Sequence, residues 1–232
     1  MRQHEIEEMR SLPLFAGVSA SHTVGMLRGS FLQRFPAHVE LIREGEPSDF
    51  LHVVVEGQVE IFSAYRGRET TVSVLGAGQS FIVAAVLLDK VNLKSARALS
   101  PSRILLIPAE AVRHSFGEDA AFSRALALEL AFAYRSLVKE LKNQKLRSSL
   151  ERLANWILQQ NAEAGGRGRF ELPFEKRILA SRLGMAPEVL SRSFASLAPY
   201  HVEVEGPTIT IGDLEALMTL AKPLPTIDDS KT

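Results

Sequence analysis

The chain of 232 residues contains no cysteine. That absence excludes disulfides, cysteine-ligated zinc, thiolate-held iron–sulfur clusters and cysteine nucleophiles. Long apolar runs are also missing. The longest, Phe81 to Leu88, is far short of the roughly 20 residues needed to cross a bilayer. The amino terminus, MRQHEIEEMRSLPLF, mixes charges of both signs and has no apolar signal core. A soluble, cytoplasmic protein without a membrane partner is therefore expected. No Gly-rich phosphate loop, metal-ligand His/Glu spacing or nucleophile elbow occurs, so no residue is assigned a catalytic role and an enzyme is not expected.

Net charge is lacking as well, with 27 basic against 27 acidic side chains. The zero is a sum of unlike parts. Residues 1–141 carry 15 basic and 16 acidic side chains, residues 142–200 carry 10 and 5, and residues 201–232 carry 2 and 6. Concentrated positive charge attracts a polyanion even when the whole chain is neutral. At 46% hydrophobic residues, the chain has enough apolar surface to bury cores without covalent staples.

Apolar side chains at helical spacing (Leu12, Leu14, Phe15, Val18, Val24, Leu27) predict short helices in the first ~30 residues. From Phe35 to Pro108 the texture changes to brief β-rich runs: Glu40–Ile42, Leu51–Val55, Gln58–Ser63, Thr70–Leu75, Phe81–Val86 and Ile104–Ile107. Glycines 45, 57, 67, 76 and 78 punctuate them, as sharp turns in an antiparallel barrel or sandwich require. Beyond Glu118, residues Leu126, Leu130, Ala133, Leu137 and Leu141 recur at spacings of 4, 3, 4 and 4. A helix from near Asp119 to Leu141 or beyond would be ~35 Å long, and this stripe is read as the seam of a homodimer. A further helix, Leu150–Gln160, ends at the glycine cluster 165–168. The last stretch, KPLPTIDDSKT, reads as a frayed tail.

Between Glu175 and Leu197 lies EKRILASRLGMAPEVLSRSFASL, the pattern of a helix-turn-helix. Ala180 is small enough to admit the second helix, Gly184 takes the turn, and Leu190 plugs the angle between the helices, with Leu179 in the same small core. Pro187 suits a first helical position. On a helical wheel Glu188, Ser191, Arg192 and Ala195 oppose Leu190, Phe194 and Leu197. That outer face is the one offered to the major groove of double-stranded DNA. Arg192 suits guanine O6 and N7, Glu188 the cytosine amino group, and Ser191 a base edge or phosphate. The alternating segments His201–Glu205 and Thr208–Ile211, around Gly206-Pro207, read as a β-hairpin wing. Glu203 and Glu205 make it a poor phosphate ligand.

A glycine-punctuated β-roll, a long helix and a winged helix-turn-helix, in that order, resemble the Crp/Fnr superfamily of bacterial transcription regulators over nearly the whole chain. LIREGEPSDFLHVVVEGQVEIF, RLANWIL and LASRLGMAPEVLSRSFASL carry the resemblance, and the E-x-x-S-R of Glu188, Ser191 and Arg192 is similar to the FNR, FixK and DNR/NnrR branches. The expected fold is α+β, with a sensor β-roll domain (1–117), a dimerisation helix (118–146), a winged helix-turn-helix DNA-binding domain (147–222) and a tail (223–232). The resemblance implies a homodimer on a palindromic operator with TTGA-type half-sites, acting on RNA polymerase.

The sensing chemistry is read by the same comparison. Cyclic-nucleotide members place a glutamate after the cassette phenylalanine and an Arg-Ser or Arg-Thr pair about ten residues on. Here the cassette is Phe81-Ile82-Val83-Ala84-Ala85 and Asn92-Leu93 fall at the pair. Cyclic AMP is therefore not expected, because a buried phosphate without its arginine is an unpaired charge. The expected effector pocket comprises Phe81, Ile82, Val83, Lys94 and Arg97. An iron–sulfur cluster is excluded, and the DNR/NnrR resemblance implies haem in a response to nitric oxide or low oxygen. His22, His38, His52 and His114 are the candidate axial ligands, with none assigned. The alternatives are a FixK-like regulator with no small-molecule ligand and a cyclic-nucleotide-responsive one.

Overall fold

The computed structural model describes residues 3–229, in two compact units, Met1–Ala133 and Tyr134–Thr232. The first opens with α1 (Gln3–Arg10), a 3-10 turn and α2 (Ala20–Arg28), then β1 (Phe31–Phe35), β2 (Glu40–Ile42), β3 (Phe50–Glu56), β4 (Val59–Tyr65), β5 (Arg68–Leu75) and β6 (Ser80–Phe81). After these come α3 (Val83–Leu88), β7 (Ser95–Ala98), β8 (Ser102–Pro108), α4 (Ala109–Glu118) and α5 (Ala120–Leu146). The second unit continues with α6 (Ser149–Glu163), β9 (Arg169–Glu171), α7 (Lys176–Arg182), α8 (Pro187–Ala195), β10 (Val202–Glu205), β11 (Thr208–Ile211), α9 (Leu214–Ala221) and α10 (Pro225–Asp228).

The roll is two four-stranded antiparallel sheets, ordered β1-β8-β3-β6 and β2-β7-β4-β5. Their strands enclose Ile42, Val54, Val59, Ile61, Phe81, Ala96 and Ile104. Alternate residues of β3, Leu51 and Val53, face a second core built with α1, α2, α4 and the first turns of α5. The chain passes from one sheet to the other through the turn at Gly57. There φ is +88°, and a Cβ would stand 2.3 Å from Ser102 Oγ and 2.6 Å from the Pro101 carbonyl oxygen. Only glycine meets both demands.

The antiparallel roll agrees with the expectation, and several local readings are corrected. Phe81–Val86 is not a strand: only Ser80–Phe81 pairs with β3, and Val83–Leu88 is helical. A short, wholly apolar run carries no period by which to tell the two apart. Strands β1 and β7 and helix α4 were not anticipated. Of the proposed dimer seam, Leu126 is fully buried in the roll's own core beside Phe122, and Leu130 packs against the same cluster. Ala133, Leu137 and Leu141 are solvent-exposed. The division between the two compact units falls inside the long helix, at 133/134.

In the second unit α6 starts from a capping box. Ser148 Oγ accepts from Glu151 N–H at 3.3 Å, and Glu151 Oε2 accepts from Ser148 N–H at 2.8 Å. Behind α6 lie the sheet β10-β11-β9 and the core residues Leu153, Ile157, Leu179, Leu190, Phe194, Ile209 and Leu217. The segment read as a frayed tail forms α10 instead. Ile227 is buried there, and Arg147 grips Asp228 through two bonds of 2.8 and 2.5 Å. Residues 230–232 lie outside the described part. Among the described residues no helix is long and apolar enough to cross a membrane. Gly57→Ala should cost about 2–4 kcal/mol of stability in the roll, from forced positive φ and overpacking. Urea denaturation of the two proteins measures it, and an unchanged midpoint would contradict the turn geometry.

Candidate nucleic-acid interface and effector site

The helix-turn-helix is built as its spacing requires. Leu179, Ala180 and Leu190 are buried, and Gly184 occupies the turn with φ +63°. Met185 N–H donates to the Ala180 carbonyl at 3.0 Å and closes the end of α7. Pro187 opens α8. The side chain that fixes this motif to α6 was missed by sequence reasoning. Arg152, nine-tenths buried, donates from Nε to the Leu183 carbonyl at 2.9 Å and from Nη1 to the Arg147 carbonyl at 2.8 Å. Longer contacts reach the Gly184 carbonyl and Ser149 Oγ, both 3.4 Å. The guanidinium thus satisfies carbonyls that α7 leaves open at its carboxyl end. An arginine heading the apolar run of RLANWIL was the available signal, since a cation drawn onto a buried face needs fixed acceptors.

Glu188, Ser191, Arg192 and Ala195 all lie exposed on one face of α8. Ser191 Oγ donates back to the Pro187 carbonyl at 3.1 Å. No ion pair holds Arg192 among the described residues. Lys176, on the preceding helix, sits 5.6 Å from the Phe194 ring centroid. In the hairpin Glu203 and Glu205 are exposed, and β9 adds a third, unanticipated strand.

In the roll the expected effector residues part company. Phe81 is buried and stacks on His52, with ring centroids 5.0 Å apart. Val83 is committed to the core. Ile82 caps α3 in the left-handed region at φ +61°. For a β-branched residue that strain costs about 1–3 kcal/mol, and such strain concentrates at ligand-binding segments. Arg97 is corrected out of the pocket: Glu60 holds its Nε at 2.7 Å, Glu69 its Nη2 at 2.8 Å, and the Phe62 ring lies 4.2 Å below it. Asn92 is a loop latch, accepting from Ser48 Oγ at 2.7 Å. Lys94 precedes β7, whose Ala96 and Ala98 are fully buried. It is half-buried with no ion-pair partner among the described residues, and burial pushes its ammonium below the usual pKa.

The histidines test the haem expectation. His22 is held by Ser19 Oγ at 2.7 Å and Asp119 at 3.2 Å, while His38 and His114 are exposed. His52 alone among the four candidates is buried. Its Nδ1 faces the Phe50 carbonyl at 3.1 Å, and its ring lies against Phe81. Of the apolar run meant to line a dry pocket, Phe81, Val83 and Val86 are packed into the cores, while Ala84 and Leu88 are exposed to solvent. An axial imidazole needs a macrocycle-sized gap beside it, so the residues present do not fit haem. Among the described residues no three His, Asp or Glu gather to hold a metal ion.

Comparison with known proteins places both units. Residues 32–122 match the cyclic nucleotide-binding domain family and residues 151–220 the Crp-like helix-turn-helix domain family. The chain belongs to the Crp/Fnr family. Crp/Fnr relatives include the CRP-like cAMP-activated global transcriptional regulator of Mycobacterium tuberculosis, 24% identical over 90% of this chain and 96% of that one. A candidate cAMP-binding regulatory protein from Silicibacter pomeroyi DSS-3 is 27% identical, covering 95% of this chain and all of that one, with a TM-score of 0.59. FixK2 from Bradyrhizobium japonicum, 20% identical over 84% of this chain and 98% of its own, shares the fold at a TM-score of 0.72. This is a Crp/Fnr-type DNA-binding transcription regulator.

Burial holds the His52 pKa down to about 4 from an ordinary 6.5. Its folded state therefore prefers the neutral ring, and the unfolded chain binds the extra proton between those values. Stability from this group is complete above pH 6.5 and declines as pH falls toward 4, by up to about 3 kcal/mol. Denaturation midpoints across that range should fall for the native protein, and His52→Gln should lose that part of the slope.

Proposed function

We propose that the protein regulates transcription as a homodimer bound to a palindromic operator with TTGA-type half-sites, acting on RNA polymerase. The observation that carries this reading is the open face of α8, where Glu188, Ser191, Arg192 and Ala195 stand together and Arg192 has no ion-pair partner among the described residues. A free guanidinium there suits guanine in the major groove. For the dimer, α5 offers Tyr134 (69% exposed), Leu137 (55%), Val138 (38%) and Leu141 (56%) as a continuous apolar stripe. Tyr134, Val138 and Leu141 follow at spacings of four and three, the rhythm of a coiled-coil seam. Arg192→Ala should weaken binding to a TTGA duplex by ~1–3 kcal/mol and relax the preference for guanine. Gel-shift titrations on matched and mismatched duplexes measure both, and unchanged affinity would remove Arg192 from the groove.

For the signal, an anionic effector is better supported than haem-linked sensing of nitric oxide or low oxygen. Lys94, half-buried and without an ion-pair partner among the described residues, supports it, as do two relatives named for cAMP. With no free arginine beside it, Lys94 alone would neutralise a phosphate, so cyclic AMP should bind weakly. Calorimetry with cyclic AMP should show that weak binding, reduced about tenfold or more in Lys94→Met, as loss of a charge-assisted contact implies. No heat with operator binding intact would favour a FixK-like regulator without a small-molecule ligand. A Soret band that shifts with nitric oxide after haem addition would restore the haem reading.

A further inference from the structure

In the second unit the chain does not fray after α9. Lys222, left-handed at φ +46°, stops that helix, and Pro223 and Pro225 stiffen the link into α10. Asp228 Oδ2 accepts from the Leu224 N–H at 2.6 Å, which closes the short helix on itself, and Ile227 is buried beneath it. From there α10 is tied to α5. Arg147 holds the Asp228 carboxylate through both terminal nitrogens, Lys142 Nζ donates to Thr226 Oγ1 at 2.9 Å, and Lys139 Nζ donates to the Asp229 carbonyl at 2.6 Å.

These ties meet at a joint. Helix α5 ends at Leu146 and α6 begins at Ser149, so Arg147 and Ser148 join them. Ser148 belongs to the capping box of α6, and the Arg147 carbonyl accepts from Arg152 Nη1 at 2.8 Å. The Arg147 side chain, 6% exposed, reaches back to Asn143 Oδ1 at 3.1 Å and across to Asp228. One residue thus binds α5, α6 and α10 together. Lys139, Asn143 and Arg147 follow at four-residue steps and face away from Tyr134, Val138 and Leu141. Helix α10 therefore grips α5 on the side opposite its exposed apolar stripe. The 15 residues of α6 span about 22 Å, so a rotation of about 10° at the joint moves its far end by about 4 Å, close to the roughly 3.4 Å of one base-pair step. Helix α8 shares a core with α6 and is carried along.

We propose that α10 is a clamp on the α5–α6 joint, and that Asp228 is the positioning residue that sets which half-site spacing the protein accepts on DNA. The inference rests on the homodimer and palindrome of the proposed function. In each copy the stripe on α5 meets the partner and α8 meets the half-site, so the joint between them sets the separation of the two recognition helices. With the Arg147–Asp228 pair intact that separation is fixed and one spacing fits. Without it the joint opens over a range, and spacings one base pair away become accessible. Recognition within a half-site stays on Glu188, Ser191 and Arg192 of α8 and does not pass through the clamp.

Gel-shift titrations of the full-length protein test this on palindromic TTGA duplexes whose half-sites are moved one base pair closer or farther apart, with a single half-site duplex as reference. The native protein should prefer its best spacing over both neighbours by at least about tenfold. Asp228→Ala should reduce that ratio to about threefold or less, while its preference for a matched over a guanine-substituted half-site stays. Lys139→Ala/Lys142→Ala removes two surface ties and no buried charge, so it should lower the ratio in the same direction even if Asp228→Ala fails to fold. Loss of phosphate attraction would weaken every duplex alike and leave the ratio unchanged. A native spacing preference that the folded variants keep overturns the clamp and leaves the homodimer reading standing, as does a loss of half-site preference in step with spacing preference. Equal native affinity for the single half-site and for palindromes of every spacing overturns the homodimer reading and the clamp with it.

Discussion

The DNA-reading unit depends on one buried guanidinium. Arg152 meets no carboxylate among the described residues; carbonyl oxygens at the end of α7 and before α6, with Ser149 Oγ, take its protons. Helix ends leave carbonyls unsatisfied, and in most helices water or a glycine cap answers them. Here the answer comes from another helix, so the turn between the helix-turn-helix elements is tied to α6 by directional bonds. Gly184 can then take its left-handed turn, Leu190 seats in the angle, and the outward face of α8 follows. Desolvating a guanidinium offsets much of what its bonds contribute, so this arrangement fixes geometry more than it adds stability. A lysine could not substitute, because one ammonium lacks the planar fork that spans carbonyls on two segments.

The DNA-binding motif was largely legible in the sequence because its constraints are local. Ala180, Gly184 and Leu190 each answer a steric demand within ten residues, and Ser148 with Glu151 announces the start of α6 in four. The β-roll was legible as a texture of apolar runs and glycines, though not strand by strand. Phe81–Leu88 failed because an uninterrupted apolar run has no period; its change from strand to helix turns on Ile82, whose left-handed backbone has no sequence signature. Leu126 failed for a different reason. Periodicity identifies a buried face without saying which core it is buried in, and the first turns of α5 are spent on the roll.

Charge was the least legible property, since its partners are distant in sequence. Arg97 and Lys94 are three residues apart and looked equivalent beside the cassette. Glu60, 37 residues away, claims Arg97 from a buried position, and no carboxylate claims Lys94 among the described residues. Which cation is available to an effector is decided by that pairing, not by proximity in the chain.

The same argument alters the meaning of the basic segment. Its net charge of five counts Arg147, which is paired with Asp228, and Arg152, which is sealed inside; Lys142 reaches Thr226 at 2.9 Å. These three serve the α5–α6 junction. The exposed cations are Lys145, Arg167, Arg169, Lys176, Arg177 and Arg192. The acidic carboxyl-terminal stretch is thus not wholly a block repelling DNA, since the Asp228 carboxylate is consumed holding α10 against Arg147. A polyanion meets only the charge that is left at the surface, so the electrostatic footprint is smaller than the count and more sharply centred on the recognition helix and its neighbours.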